Sequence, residues 1–232
     1  MKKITENIFE SREELVSDLC AEIISKLSQS IDERQKASML LSGGSTPGPL
    51  YDLMSKQEMN WKNVYFSVTD ERWLETNHQD SNERLVRATL LQNKAASANY
   101  VSLKSNQPTP HMGQKDTEQN FADFPFPIDI VLLGMGEDGH MASLFPNIED
   151  SQKAMDKEIK YFCHAIKREE GDVDRMTVTL NGLLKSKRII LYFYGQKKLD
   201  VYNKAKELKS DSLPISYLLH QDKVPISLYW AE

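Results

Sequence analysis

Ala37-Ser38-Met39-Leu40-Leu41-Ser42-Gly43-Gly44-Ser45-Thr46-Pro47 is an apolar run of strand length that ends in two glycines, two hydroxyls and a proline. An apolar run this short, without polar alternation, suits a strand buried on both faces. Pro47 suits the first position of a following helix. The pattern recurs along the chain. Residues 64–69, 128–133 and 188–194 read as further buried strands, the last two as nearly unbroken apolar runs. Helices are expected over 47–55, 82–91, 177–185 and 196–208. Near the start, Ser11-Arg12-Glu13-Glu14 has the form of a capping box ahead of the stripe Leu15, Leu19, Ile23, Ile24 and Leu27. Strands that alternate with helices and are apolar on both faces predict an α/β fold. Its largely parallel sheet would carry helices on both faces, in one domain over residues 1–232. The stretch 92–127 is polar and holds Pro108, Pro110, Pro125 and Pro127. It reads as either an inserted loop or a small subdomain.

Composition narrows the function. The chain has 232 residues, 40% of them apolar, which excludes a disordered protein. Twenty-nine basic residues against thirty-four acidic ones give a net charge of −5, the wrong sign for a dedicated binder of nucleic acid or of an anionic membrane. Two cysteines, Cys20 and Cys163, exclude a disulfide framework and a cysteine-rich zinc site. Neither they nor the five histidines show ligand spacing, so no catalytic metal is expected. No window approaches the roughly 18 apolar residues that span a bilayer. The opening Met1-Lys2-Lys3-Ile4-Thr5-Glu6 has no apolar core of a secretory signal. The expected compartment is the cytosol.

Ligands of parallel α/β sheets gather beyond the carboxyl ends of the strands, so the chemistry is sought there. After the first strand, Gly43 and Gly44 permit close backbone approach. With Ser45 and Thr46 ahead of a helix they suit a phosphate, although a capped tight turn would look the same. It is not a Walker A loop, because no Gly-Lys-Ser/Thr follows. After the second strand, Thr69-Asp70-Glu71-Arg72-Trp73 reads either as an ion-pair cluster or as ligand contacts. After the third comes Leu133-Gly134-Met135-Gly136-Glu137-Asp138-Gly139-His140-Met141-Ala142-Ser143-Leu144-Phe145-Pro146. It matches Gly-x-Gly-x-x-Gly, yet Glu137 and Asp138 put negative charge where a pyrophosphate would lie, and Pro146 interrupts any following helix. What remains is a glycine-shaped loop presenting Asp138 and His140. Imidazole titrates near pH 6.5 in water and serves as a general base at neutral pH. Cys163 and His164, adjacent in an expected strand, face opposite sides and read as structural. Lys197 and Lys198 follow Gly195 in the first turn of a helix, where the dipole disfavours cations, a conflict that a bound anion resolves. Arg175 is a second donor of bidentate geometry for that anion.

These segments, in this order along nearly the whole chain, resemble the 6-phosphogluconolactonase family. The carrying residues are Leu41 to Pro47, Thr69 to Trp73 with Ser81-Asn82 downstream, and the loop from Gly134 to Pro146. Arg175-Met176-Thr177, Gly195-Gln196-Lys197-Lys198 and Leu213-Pro214-Ile215-Ser216 add support. The chain departs from the family pattern at Met141, where threonine is usual. It departs again at Glu75 and at Asp172-Val173-Asp174, where prolines are usual. The resemblance implies a fold shared with glucosamine-6-phosphate deaminase and ribose-5-phosphate isomerase. It also implies hydrolysis of 6-phospho-D-glucono-1,5-lactone, a phosphosugar lactone of the oxidative pentose phosphate pathway, without cofactor. By position, His140 would activate water and Asp138 would help orient or polarise it. Gly43, Gly44, Ser45, Thr46, Arg175 and Lys198 would hold the phosphate, and Asp70 and Arg72 would complete the substrate contacts. The related deaminases carry a glutamate five residues after the histidine, where this chain has Phe145. A phosphosugar-sensing regulator of the same fold would need a DNA-reading module, for which no room exists before the first core helix near Ser11.

Overall fold

A computed structural model describes residues 4–232. In chain order its elements are β1 (Thr5–Ile8), α1 (Arg12–Arg34), β2 (Ala37–Leu41), α2 (Gly48–Ser55), β3 (Val64–Val68), β4 (Asp70–Arg72), α3 (Asn82–Thr89) and β5 (Asn99–Tyr100). Then come α4 (Pro110–Asn120), β6 (Ile130–Leu133), α5 (Glu149–Met155), β7 (Cys163–Ile166), β8 (Arg175–Val178) and α6 (Leu180–Leu183). The chain closes with β9 (Ile189–Tyr194), α7 (Gln196–Glu207), α8 (Ile215–Leu219) and β10 (Ile226–Ala231).

Seven strands form one sheet in the order β1-β10-β9-β6-β2-β3-β5, and every neighbouring pair is parallel. Every residue of β2 and β6 is buried, as the unbroken apolar runs require of strands covered on both faces. Ser11 caps α1 by accepting from the Glu14 amide at 3.1 Å, and Leu15, Leu19, Ile23 and Leu27 behind it have no exposed surface. From β2 the chain adds β3 and β5 on one side, then returns to add β6, β9 and β10 on the other. The order therefore reverses between β2 and β6, the place where an open α/β sheet leaves a crevice at its carboxyl edge.

Two sequence expectations change. The polar stretch 92–127 supplies the edge strand β5 and helix α4, which packs on β7. The helix expected over 177–185 shrinks to α6, because Thr177 and Val178 belong to β8. That strand pairs antiparallel with β4 and β7 in a separate three-stranded sheet. Both residues are β-branched and fit a pleated surface better than a helix. The two sheets meet at Thr69, between β3 and β4. Its amide donates to Leu41 O of the large sheet at 2.8 Å, while its carbonyl accepts from the Val178 amide of the small one at 2.8 Å. Among the described residues no helix is long and apolar enough to cross a membrane.

Candidate active site

The loops after β2 and β6 lie side by side at the switch point. After β2, Tyr51 donates its hydroxyl to Ser42 O at 2.6 Å and ties the turn to α2. Gly44 adopts φ +88°, the left-handed region open to glycine. A Cβ on Gly43 would lie 2.0 Å from Asn82 Oδ1, so only glycine lets this loop pass the Asn82 side chain.

After β3 the backbone turns into β4 and is held by a buried acid. Glu71, 1% exposed, accepts from the amides of Arg72 and Asn82 at 2.8 Å, from the Glu83 amide at 2.7 Å and from Ser81 Oγ at 3.2 Å. Burial pushes its carboxyl above the usual range, against those amides, two of which open α3. Glu71 is thus neither a surface ion pair nor a ligand contact; it docks α3 and sets Asn82. Asn82 in turn donates to Asp70 O at 2.7 Å and accepts from Arg72 Nη1 at 3.0 Å. The same Nη1 donates to Asp80 O at 2.8 Å, while Arg72 Nε is buried with no acceptor. Asp70 takes a hydrogen bond from Ser143 Oγ at 2.6 Å.

The loop after β6 opens no helix before α5, which disposes of a dinucleotide turn. The Gly139 amide donates to Gly136 O and the Gly136 amide to His140 O, both at 3.0 Å, closing a tight knot with Gly139 at φ +77°. A Cβ on Gly136 would fall 2.2 Å from His140 Nδ1, so the imidazole lies against bare backbone. Asp138 Oδ1 lies 2.6 Å from His140 Nδ1 and also accepts from the His140 amide at 3.1 Å. The bond to His140 holds the Asp138 carboxyl below the usual range, in spite of partial burial. With Nδ1 engaged as the donor, Nε2 is the ring nitrogen left with a lone pair. Phe145 packs on the imidazole, ring centroids 4.7 Å apart.

Arg175, on β8, stands directly opposite Arg72 of β4. Two like charges facing across a strand pair repel, and an anion between them removes the conflict. Arg175 donates Nε to Val173 O at 3.1 Å and keeps Asp172 at 3.8 Å; burial holds its guanidinium below its usual value. Lys198, in the first turn of α7, has no carboxylate partner among the described residues, while Lys197 is exposed and does not reach the crevice.

One cavity of about 260 Å³ gathers nine of the ten residues singled out from sequence: Gly43, Gly44, Ser45, Thr46, Asp70, Arg72, His140, Arg175 and Lys198. The tenth, Asp138, stands beside His140. Sequence reasoning missed Tyr192 in the wall, and gave Asn82, quoted only within the resemblance, no role there. Asn82 follows a capping serine and reads as an ordinary helix start; Tyr192 sits inside an apolar strand. Cys163 and His164 lie in β7, as expected. Burial pushes the Cys163 thiol up and the His164 imidazole down, and neither His164 nitrogen has a hydrogen-bond partner.

An open parallel sheet with an acid–imidazole pair and three cations around the crevice at its switch point defines the class, an α/β enzyme. The sequence model described as glucosamine-6-phosphate isomerases/6-phosphogluconolactonase matches residues 10–230, and the chain belongs to that family. A 6-phosphogluconolactonase of Pseudomonas aeruginosa is 30% identical over 224 residues, covering 96% of this chain and 93% of the relative. One from Xylella fastidiosa is 33% identical over 222 residues, covering 94% and 92%. The crystal structure of a 6-phosphogluconolactonase from Shewanella baltica superposes with a TM-score of 0.94 at 36% identity, over 100% of this chain and 99% of that one. A monomeric glucosamine-6-phosphate deaminase shares the fold, with a TM-score of 0.78 at 19% identity.

Proposed function

We propose that the protein is a 6-phosphogluconolactonase that hydrolyses 6-phospho-D-glucono-1,5-lactone to 6-phosphogluconate by general-base catalysis. The observation that carries this reading is the Asp138–His140 pair. It leaves one imidazole nitrogen with a free lone pair in a cavity whose other walls are the glycine turn, Arg175 and Lys198. The turn amides, Arg175 and Lys198 hold the phosphate, and Arg72 and Asp70 contact the sugar. Anchoring at the phosphate supplies the orientation that a small lactone ring lacks by itself. His140 Nε2 takes a proton from water as the water oxygen bonds to the lactone carbonyl carbon. Asp138 stabilises the imidazolium formed. Collapse of the tetrahedral intermediate breaks the ring C–O bond, and the imidazolium returns its proton to the departing ring oxygen, which becomes a hydroxyl. The new carboxylic acid then ionises in water.

Phe145 favours this chemistry over deamination and isomerisation, which need an acid/base relay where an apolar ring packs on the imidazole. The test is a lactonase assay on freshly generated substrate with the spontaneous rate subtracted. Enzyme-dependent opening of the lactone, with no release of ammonia from glucosamine 6-phosphate, is the expected result. The converse pattern overturns the reading.

A further inference from the structure

Ser45, Thr46 and Lys198 line not one cavity but two. The second is larger, about 630 Å³, and is completed by Arg12, Glu13 and Val16 of α1, Pro49 of α2 and Tyr194 at the end of β9. Its volume falls within the range of small-ligand sites. Arg12 stands in it half used. Its guanidinium carbon lies 4.5 Å from the centre of the Tyr194 ring, and Nε donates to Glu232 O at 2.8 Å. Among the described residues its two Nη groups meet no acceptor. Lys198 Nζ has no partner there either, and the hydroxyls of Ser45 and Thr46 donate to no protein acceptor. Glu13 brings the one carboxylate of the lining, so two cations face one anion. The wall is stiffened from behind: Tyr192 and Tyr194 bond through their hydroxyls, and Tyr192 also donates to Thr46 O at 3.3 Å.

We propose that the second cavity is an anion subsite continuous with the first, and that the two together accept a diphosphoryl group. One phosphoryl sits on the turn of residues 43–46, and its neighbour sits between Arg12 and Lys198. This rests on the reading that the turn holds a phosphate. Adjacency selects a diphosphoryl group over two separate phosphates, because only Ser45, Thr46 and Lys198 stand between the cavities. A guanidinium held by Nε, with both Nη groups free, offers the geometry for a second phosphoryl oxygen pair. Val16 and Pro49 leave room for whatever the diphosphate carries. Inorganic pyrophosphate and a nucleoside diphosphate share this chemistry, and either would exclude a phosphosugar from the turn.

The test is calorimetric titration of the intact protein with orthophosphate, pyrophosphate and ADP, without the lactone. Pyrophosphate should bind about tenfold or more tighter than orthophosphate, the scale of one added charge-assisted contact. Arg12→Ala should bring that ratio close to one. Arg12→Gln keeps a stem over Tyr194 and an N–H for Glu232 O, and it should do the same if Arg12→Ala disturbs packing. ADP binding tighter than pyrophosphate identifies a nucleotide as the source; ADP binding no tighter identifies the inorganic anion. A ratio near one in the wild type, or one that survives both substitutions, overturns the subsite. If orthophosphate itself fails to bind, the phosphate turn falls and the subsite falls with it. Lactone turnover is measured separately and is untouched by these results.

Discussion

Replacing Arg175 by Met should leave the ligand-free protein as stable as the wild type or slightly more so, while weakening its hold on phosphate. The two effects have opposite signs because Arg175 stands directly across the strand pair from Arg72. Directly opposed residues have Cβ atoms about 5 Å apart. Charged heads at about 6 Å repel by ~0.7 kcal/mol at the dielectric of water and by ~3 kcal/mol at an effective value near 20. Burial of the guanidinium adds to that cost. Against it stand attraction to Asp70, the bond from Nε to Val173 O at 3.1 Å and the pairing with Asp172 at 3.8 Å. The bond, made by a charged donor, is worth about 1.5–3 kcal/mol. The balance lies within about 1 kcal/mol of zero, on the stabilising side for methionine, which keeps most of the side-chain volume. Binding moves the other way: a lost charge-assisted contact to phosphate costs about 1.5–3 kcal/mol, roughly ten- to a hundred-fold in affinity. Urea unfolding with and without phosphate measures both. At ten times its dissociation constant phosphate stabilises the wild type by about 1.4 kcal/mol, and at the same concentration it should stabilise the variant little. A variant less stable than the wild type by more than 1 kcal/mol without anion, yet equally stabilised by phosphate, would refute the reasoning.

His140→Asn should lower kcat by about 10²–10⁴ and leave 6-phosphogluconate affinity near wild type, read by stopped-flow hydrolysis and calorimetry. Lost hydrolysis together with lost binding would make His140 a shaping residue. Gly43→Ala should cost activity through Arg72 rather than through the turn, since the new Cβ displaces Asn82, which orients Arg72; Asn82→Ala should reproduce part of that loss in KM. His164 titrates below its usual value in the folded protein because of burial, so the unfolded chain binds the extra proton first. Stability should therefore be full above about pH 6.5 and decline as pH falls through that value towards the folded one. His164→Leu should flatten that part of the urea-midpoint profile, and an unchanged slope would remove His164 as its source.

The large sheet was legible because β2, β3, β6 and β9 are apolar runs followed by turn residues, and the glycine loops stood out because each must pass close to another group. The small sheet was not legible. Asp70-Glu71-Arg72 has no apolar period, and its pairing partner lies about a hundred residues further on, at Arg175 to Thr177. The facing of Arg72 and Arg175 is a fact of register between distant segments, which no local pattern encodes. The short edge strands β1 and β5 escaped for a related reason, since neither is buried along its length. His140 and Asp138 were found because they are neighbours in sequence. Asn82 was noted only as part of the resemblance and given no role, because its partners Asp70 and Arg72 are not its neighbours in sequence.

The junction at Thr69 has a consequence for the order of assembly. One residue serves both sheets, its amide donating to β2 on one side and its carbonyl accepting from β8 on the other. The pairing β2–β3 closes a loop of some thirty residues, whereas β4–β8 closes one of about a hundred and waits for the chain beyond Arg175. During refolding the β2–β3 pair can form while Arg72 still lacks the strand that brings Arg175 opposite it. The crevice is then half built, with its glycine turn in place and its paired cations not yet met. Recovery of anion binding should lag behind recovery of the buried Trp61 signal, which makes the site a late reporter of a chain whose first strand pair is already in place.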